Sequence, residues 1–206
     1  MTDQLMESVI SGARAAQIHA AGHCCAQCCG NRDFCFGYAP TGWEGKLSRL
    51  AAKLGYSFHR DWTPVQASGP GCNGYTTGSF RDLPFEARLE CRQLGITEYS
   101  IHYRPEPNNA QEFAVAVHEC AHAVLGHPEL PKGRDGEFEN EMPVRLATQA
   151  VCAAAGLRNT RMHTCQMTQR MLNFGRDITL EHQNAGLIAA RVISEALSPA
   201  QMRRAA

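Results

Sequence analysis

The chain has 206 residues, a length typical of one domain of ordinary size. Its apolar fraction of 44% is too high for a disordered protein, and its 20 basic residues balance 20 acidic ones. The resulting net charge of zero argues against a protein that coats nucleic acid or an anionic membrane through bulk charge.

The sequence also argues against insertion into a membrane. No apolar run approaches the roughly 18 residues that a membrane span needs. The acidic N-terminus lacks the basic start and long apolar core of a signal peptide. We therefore expect a cytoplasmic protein without a membrane partner.

We divide the chain into an N-terminal segment, residues 1–42, and a second domain, residues 43–200. Residues 2–21 are predicted to form a helix because their apolar side chains recur at helical spacing. The stripe consists of Leu5, Val9, Ala13 and Ala16.

The N-terminal segment also holds half of the ten cysteines, clustered between residues 24 and 35. Thiolates at CxxC spacing can bind structural zinc or an iron–sulfur cluster, so this cluster is a candidate second metal site. The candidate ligands are Cys24, Cys25, Cys28 and Cys29. The alternatives are a reduced loop without metal, which a reducing compartment favours, and disulfides.

The first part of the second domain is predicted to mix helix and strand. Residues 43–54 have the apolar spacing of a helix, and residues 56–60 that of a short strand. The Gly/Pro-rich residues 66–78 are predicted to form a loop. Residues 84–94 fit either a strand or a helix, and residues 99–104 are predicted to be a strand.

The rest of the domain is predicted to be helical. Asn108 or Asn109 would cap a helix over residues 110–125, which a polar loop over residues 127–139 follows. Further helices are predicted over residues 140–155, 160–174 and 178–197. The predicted class is therefore α+β, with a small early sheet and a helical C-terminal half.

The predicted helix over residues 110–125 contains an HExxH sequence, His118 to His122. Histidines four residues apart differ by about 40° around a helix, so both imidazoles can bind one ion, with zinc expected. Glu119, offset by about 100° from His118, can serve as a base for water without ligating. The alternative is an ordinary helix that happens to carry two histidines.

Apolar residues of the same helix form one stripe, and both histidines lie off it. The stripe consists of Phe113, Val117, Cys120, Ala121 and Val124. This pattern predicts a helix that packs on the core and turns its ligands to a cleft. Cys120 lies on the stripe and is therefore interpreted as a small buried apolar residue.

Catalytic zinc usually has a third protein ligand. The candidates are acids that precede the next predicted helix: Glu141, then Glu139, then Glu137. Glu141 is favoured because Asn140 can cap that helix, with Pro143 in its first turn. His127 would lie about 180° from His118 on a continued helix, and is therefore disfavoured.

These residues resemble the ImmA/IrrE-type metallopeptidases, most closely the plasmid and phage branch that includes the ArdC-like antirestriction peptidase domains. The resemblance is carried by VHECAHAVLGH at residues 117–127, the acidic run after it and ATQAVCAAAGL at residues 147–157. Weaker matches are NGYT at residues 73–76 and YSIHYR at residues 99–104. The similarity spans about residues 45–197.

The resemblance implies a zincin-like (gluzincin-like) fold in which a small sheet packs on the active-site helix. It assigns His118, His122 and a downstream Glu as zinc ligands and Glu119 as the base. The implied activity is that of a zinc-dependent peptidase that cleaves a specific partner protein or peptide in a mobile-element or regulatory context.

The chain departs from the family pattern after the acidic run. Pro143 and Arg145 occupy positions where the family often has acids. Arg145 lies four residues after Glu141, a spacing at which the two side chains can form an ion pair. Such a pair would either orient Glu141 or compete with metal binding.

Hydrolysis would also need a donor that stabilises the developing oxyanion, and Tyr75, His102 and His163 are candidates. An alternative function is a metal-stabilised binding module of the antirestriction or repressor-control type, which acts by protein or DNA contact. Nucleic-acid binding is the weaker version because the sequence shows no helix-turn-helix and no basic stripe. A redox role for Cys25 and Cys28 lacks the βαβ context of that motif.

Overall fold

The computed structural model describes residues 2–20, 37–61, 73–81, 85–106, 108–127, 137–158, 160 and 177–198. These residues form six helices and three strands: α1 (Thr2–Ala20), α2 (Trp43–Lys53), β1 (Ser57–Arg60), β2 (Gly74–Thr76), α3 (Phe85–Gln93), β3 (Ser100–Tyr103), α4 (Asn109–Leu125), α5 (Glu137–Ala154) and α6 (Leu180–Leu197). The predicted α+β class is confirmed. Among the described helices, none combines the length and the apolar character needed to cross a membrane.

The three strands form one mixed sheet in the order β1-β3-β2. β1 runs parallel to β3, and β2 runs antiparallel to it. The predicted loop over residues 66–78 is wrong for Gly74–Thr76, which form β2. Three residues are too few to show an alternating pattern, and β2 exists because it pairs with β3. The ambiguous residues 84–94 are helical, as α3.

The sheet separates two apolar clusters. Ile101 and Tyr103 of β3 belong to the main core, where Tyr103 packs against Trp43 with ring centroids 6.0 Å apart. Tyr75 of β2 belongs to a smaller cluster on the other face, together with Cys91 of α3. Successive residues of a strand point to opposite faces, so this division follows from the strand pleat.

Helix α4 lies at the centre of the main core. Its start agrees with the predicted cap, because Asn108 Oδ1 accepts a hydrogen bond from Ala110 N at 2.9 Å. It ends at Gly126, whose φ of 66° is the left-handed conformation that glycine adopts at low cost. The predicted apolar stripe is confirmed: Phe113, Val117, Cys120 and Ala121 are buried, and Val124 packs against them.

Helix α1 packs against α5 and α6, and its predicted apolar stripe is buried in the main core. Gln149 Nε2 of α5 donates to the Ser8 carbonyl of α1 at 3.0 Å, which fixes the two helices to each other. The predicted domain boundary between residues 42 and 43 stays a prediction. The cysteine cluster between residues 24 and 35 falls outside the described residues, as does all but the first residue of the helix predicted over residues 160–174.

Helix α5 begins at Glu137, three residues before the predicted start. The prediction that Asn140 caps this helix is therefore wrong, and Pro143 lies inside the helix instead of in its first turn. The sequence predicts a loop for the acidic residues at 137 and 139. They are instead helical, and acids in the first turn of a helix interact favourably with its dipole.

Helix α6 approaches α5 closely at Gly186. A Cβ at this position would lie 2.9 Å from Leu146 Cβ and 3.0 Å from the Pro143 carbonyl oxygen, too close for any side chain. The helix starts with a reciprocal cap in which Thr179 Oγ1 accepts from His182 N and His182 Nδ1 accepts from Thr179 N. Because residue 186 is glycine, the turn of α5 that holds Pro143 packs directly on the α6 backbone.

Candidate metal centre

Three side chains from two helices converge between α4 and α5. His118 and His122 of α4 place their Nε2 atoms 3.3 Å apart. Glu141 of α5 places Oε1 3.1 Å from His122 Nε2 and 3.5 Å from His118 Nε2. The Glu141 and His122 side chains are 6% and 0% exposed, and that of His118 is 17% exposed. The group is therefore buried, with His118 on its open side.

The spacing of these three atoms fits a tetrahedral metal ion. Zinc binds His nitrogen and Glu oxygen at about 2.0–2.2 Å, and tetrahedral angles then place the ligand atoms about 3.3–3.5 Å apart. The measured separations run from 3.1 to 3.5 Å. His118, His122 and Glu141 can thus hold a metal ion, and two imidazoles with one carboxylate are a donor set that suits zinc.

The protonation states also suit a metal. Burial lowers the pKa of His118 to about 4, so this imidazole is neutral at physiological pH and its lone pair is available. Burial opposes ionisation of Glu141, but the charge of His118 in its protonated form and the charge of the Arg145 guanidinium outweigh it and hold the pKa of Glu141 well below its usual value. The carboxylate is therefore charged.

Arg145 forms the ion pair with Glu141 that their spacing predicted. Its Nε donates to Glu141 Oε2 at 2.9 Å, one turn along α5. The two oxygens of the carboxylate therefore have different neighbours, since Oε1 faces the two histidines and Oε2 faces the guanidinium.

Glu119 lies beside this group and is held by β2. Thr76 Oγ1 lies 2.8 Å from the Glu119 carbonyl oxygen and 3.0 Å from Glu119 Oε2. At Gly74 an added Cβ would lie only 2.8 Å from Glu119 Cγ and Oε1, so the side chain fills the space that glycine leaves. Burial raises the pKa of Glu119 to about 7, which lets this carboxyl exchange a proton near neutral pH.

Sequence reasoning missed Gly74 and Thr76 as residues of the site. Both lie in the segment that was predicted to be a loop, 43 or more residues before Glu119. Their contact with Glu119 depends on the pairing of β2 with β3, which no local pattern encodes. The NGYT sequence at residues 73–76, which resembles the metallopeptidases, was the signal that could have identified these two residues. The resemblance gave no functional role to either of them.

The other candidate ligands lie elsewhere. His182 Nε2 donates to Glu139 Oε2 at 2.6 Å, so Glu139 joins α5 to the start of α6. His127 follows the C-terminal glycine of α4, where its N–H donates to the His122 carbonyl at 3.0 Å. Neither belongs to the ligand group found in the described part of the chain. The side chain of Glu137 is outside the described residues.

Two of the three candidate oxyanion donors are on the wrong face of the sheet. Thr76 points toward Glu119, so Tyr75 points away, and its ring stacks on His102 at 4.8 Å. His102 Nδ1 donates to the Asp61 carboxylate at 3.0 Å on that same far face. The structure contradicts the prediction for Tyr75 and His102, and His163 is outside the described residues.

Three cysteines of the described residues, Cys91, Cys120 and Cys152, are buried free thiols. Cys91 lies in the smaller apolar cluster, and Cys120 and Cys152 lie in the main core, as predicted for Cys120 from its position on the apolar stripe. The candidate second metal site at Cys24, Cys25, Cys28 and Cys29 falls outside the described residues and stays a prediction.

Comparison of the chain with protein-family models, with curated proteins and with solved structures gives no match. The resemblance to ImmA/IrrE-type metallopeptidases therefore depends on the motif residues quoted above.

Proposed function

We propose that this protein is a zinc-dependent peptidase with a zincin-like fold, which hydrolyses a peptide bond in a specific partner protein. The observation that carries the proposal is the convergence of His118, His122 and Glu141 at tetrahedral spacing, with Glu119 beside them. The HExxH sequence supports a peptidase over other uses of the same ligands, because it combines two ligands with an adjacent base.

His118 Nε2, His122 Nε2 and Glu141 Oε1 would hold the ion. Bound zinc supplies Lewis acidity, which polarises a carbonyl group and lowers the pKa of water. Three protein ligands leave a position for the substrate, as catalytic zinc sites require. His118 is the most exposed of the three ligands, so the substrate would approach from its side.

Glu119 would act as the general base. Its carboxylate lies beside the ligand group, where it could accept a proton from water and pass it to the leaving amine. When Glu119 is ionised, the Thr76 hydroxyl can donate to Oε2 and hold the carboxylate in place. When Glu119 is protonated on Oε2, it can donate to Thr76 Oγ1, which then donates to the Glu119 carbonyl oxygen. One hydroxyl thus accommodates both protonation states.

The test compares the zinc content of protein purified without added metal for the wild type, two site variants and one control variant. His122→Ala should lose bound zinc, whereas Glu119→Gln should retain it. As a matched control, His59→Ala removes a histidine from the far face of the sheet, where its ring stacks on His102, and should also retain zinc. Zinc retained in full by His122→Ala would refute the site.

Hydrolysis is tested separately, with a peptide library made from a cellular proteome and new N-termini identified by mass spectrometry. The wild type should generate cleavage products that Glu119→Gln does not. If both proteins bind zinc and neither cleaves any peptide or folded protein extract, the proposal of a peptidase is refuted. The metal-stabilised binding module would then replace it.

A further inference from the structure

The two oxygens of Glu141 are used differently. Oε1 lies 3.1 Å from His122 Nε2 and 3.5 Å from His118 Nε2, where a metal would be bound. Oε2 accepts a hydrogen bond from Arg145 Nε at 2.9 Å. The Glu141 side chain is 6% exposed, so water has little access to either oxygen.

This division bears on how many oxygen atoms reach the ion. A carboxylate can bind one metal ion through one oxygen or through both, and large ions such as Ca²⁺ often use both. Zinc with three protein ligands stays four-coordinate only if each ligand supplies one atom and one position remains open. A side chain that holds the second oxygen away from the ion therefore affects both the coordination geometry of the ion and the selectivity of the site among metal ions.

We propose that Arg145 is a positioning residue that restricts Glu141 to ligation through Oε1, and so makes the site select Zn²⁺ over larger ions that prefer more oxygen ligands. This inference rests on the proposed metal site, but not on peptidase activity. Arg145 suits the role because a guanidinium stays charged at all accessible pH values and donates in a fixed direction. Its position one turn after Glu141 on a buried helix fixes that direction further.

The alternative is that Arg145 competes with the metal for the carboxylate. Removal of its charge would then strengthen the binding of every dication by a similar factor. A positioning role predicts something different, namely a change in the ratio of affinities for two dications. The ratio is informative because the lost positive charge affects both ions alike and cancels.

The experiment uses the full chain loaded with Co²⁺, whose visible absorption is intense in four-coordinate sites and weak in six-coordinate ones. The wild type should show the intense bands. Arg145→Met should weaken them, because a second Glu141 oxygen raises the coordination number from four to five, and Arg145→Lys, which keeps a charged donor, should retain them. Arg191→Met, on an exposed position of α6, removes one positive charge elsewhere and should match the wild type.

Competition titrations then compare Zn²⁺ with Mn²⁺. Arg145→Met should lower the ratio of the two affinities by about 10-fold, the lower end of the effect of removing a partner that orients a ligand. Intense Co²⁺ bands and an unchanged ratio in Arg145→Met would overturn the inference. A tighter binding of both ions by one common factor would show competition and would also overturn it.

A measurement on the wild type keeps the inference falsifiable even if Arg145→Met does not fold. X-ray absorption at the zinc edge should give four light-atom neighbours, and two oxygens from Glu141 would overturn the inference. A wild type that binds neither Zn²⁺ nor Co²⁺ would instead refute the proposed metal site itself, so the two failures are distinguishable.

Discussion

Gly74→Ala tests how tightly β2 packs against Glu119. The added Cβ would lie 2.8 Å from Glu119 Cγ and Oε1 and 2.9 Å from the His102 carbonyl oxygen. The Glu119 side chain can rotate, but the carbonyl belongs to the neighbouring strand β3. The clash therefore cannot be relieved without moving the sheet.

The size of the effect follows from two opposing contributions. Overpacking of a buried site costs about 1–3 kcal/mol, and replacing glycine by alanine returns about 0.4–1 kcal/mol through the unfolded chain. We expect the free energy of unfolding to fall by about 1–2 kcal/mol, which is roughly a 5- to 30-fold change in the folding equilibrium. Bound zinc should be retained, because the three atoms nearest the added Cβ belong to Glu119 and His102 and not to the proposed ligands.

The assay is urea unfolding with a metal chelator present, so that metal binding does not contribute to stability. Gly45→Ala is the matched control, since a Cβ there meets only Arg49 Nη1 at 3.6 Å on the exposed face of α2. This control should gain about 0.5–1 kcal/mol, as expected when alanine replaces glycine within a helix. If Gly74→Ala is as stable as Gly45→Ala, β2 does not pack closely against Glu119.

Three further predictions concern other parts of the chain. Thr76→Val should lower the free energy of unfolding by about 1–3 kcal/mol, because buried Glu119 loses a hydrogen-bond donor. Thr76→Ser keeps the hydroxyl and should lower the free energy of unfolding clearly less. Equal losses for the two variants in urea unfolding would contradict this role of Thr76. Burial lowers the pKa of His102 despite its Asp61 partner. The unfolded chain therefore takes up a proton first, and stability falls as pH drops below about 6.5. His102→Phe should reduce this fall in thermal melts between about pH 7.5 and about pH 5.5, and an unchanged slope would count against it. If the cysteine cluster binds a second zinc, serine substitution of its four candidate ligands, Cys24, Cys25, Cys28 and Cys29, should remove one of two zinc ions per chain. An unchanged zinc content would exclude that site.

The parts that sequence reasoning predicted well are those that depend on local spacing. The apolar stripe and the HExxH sequence fix which side of α4 packs on the core and which side holds His118 and His122. The Asn108 cap and the Arg145–Glu141 pair also span four residues or fewer. Helical geometry alone determines these contacts, so one segment of sequence contains the necessary information.

The parts that sequence reasoning missed depend on distant segments. β2 is a strand only because β3 lies beside it, so Gly74 and Thr76 could not be assigned to Glu119. The bond from His182 to Glu139 joins residues 43 positions apart, and it takes Glu139 out of the candidate ligands. Tyr75 and His102 are excluded as oxyanion donors because their side chains lie on the far face of the sheet. Which face a strand residue occupies relative to the site is known only when the strand pairing and its register are known.

Because Gly186 has no side chain, its position restricts how the sequence of this protein can change in evolution. Any substitution there would act as a wedge between α6 and the Pro143 carbonyl, two residues from Glu141. The wedge would push Glu141, the proposed third ligand, relative to the two histidines, although the atoms nearest a Cβ at residue 186 belong to Pro143, Leu146 and Ala147. We expect glycine at this position in every descendant that keeps the site. Metal–ligand distances must be held to within about 0.2 Å, and at this site that precision depends on two helices that meet backbone to backbone.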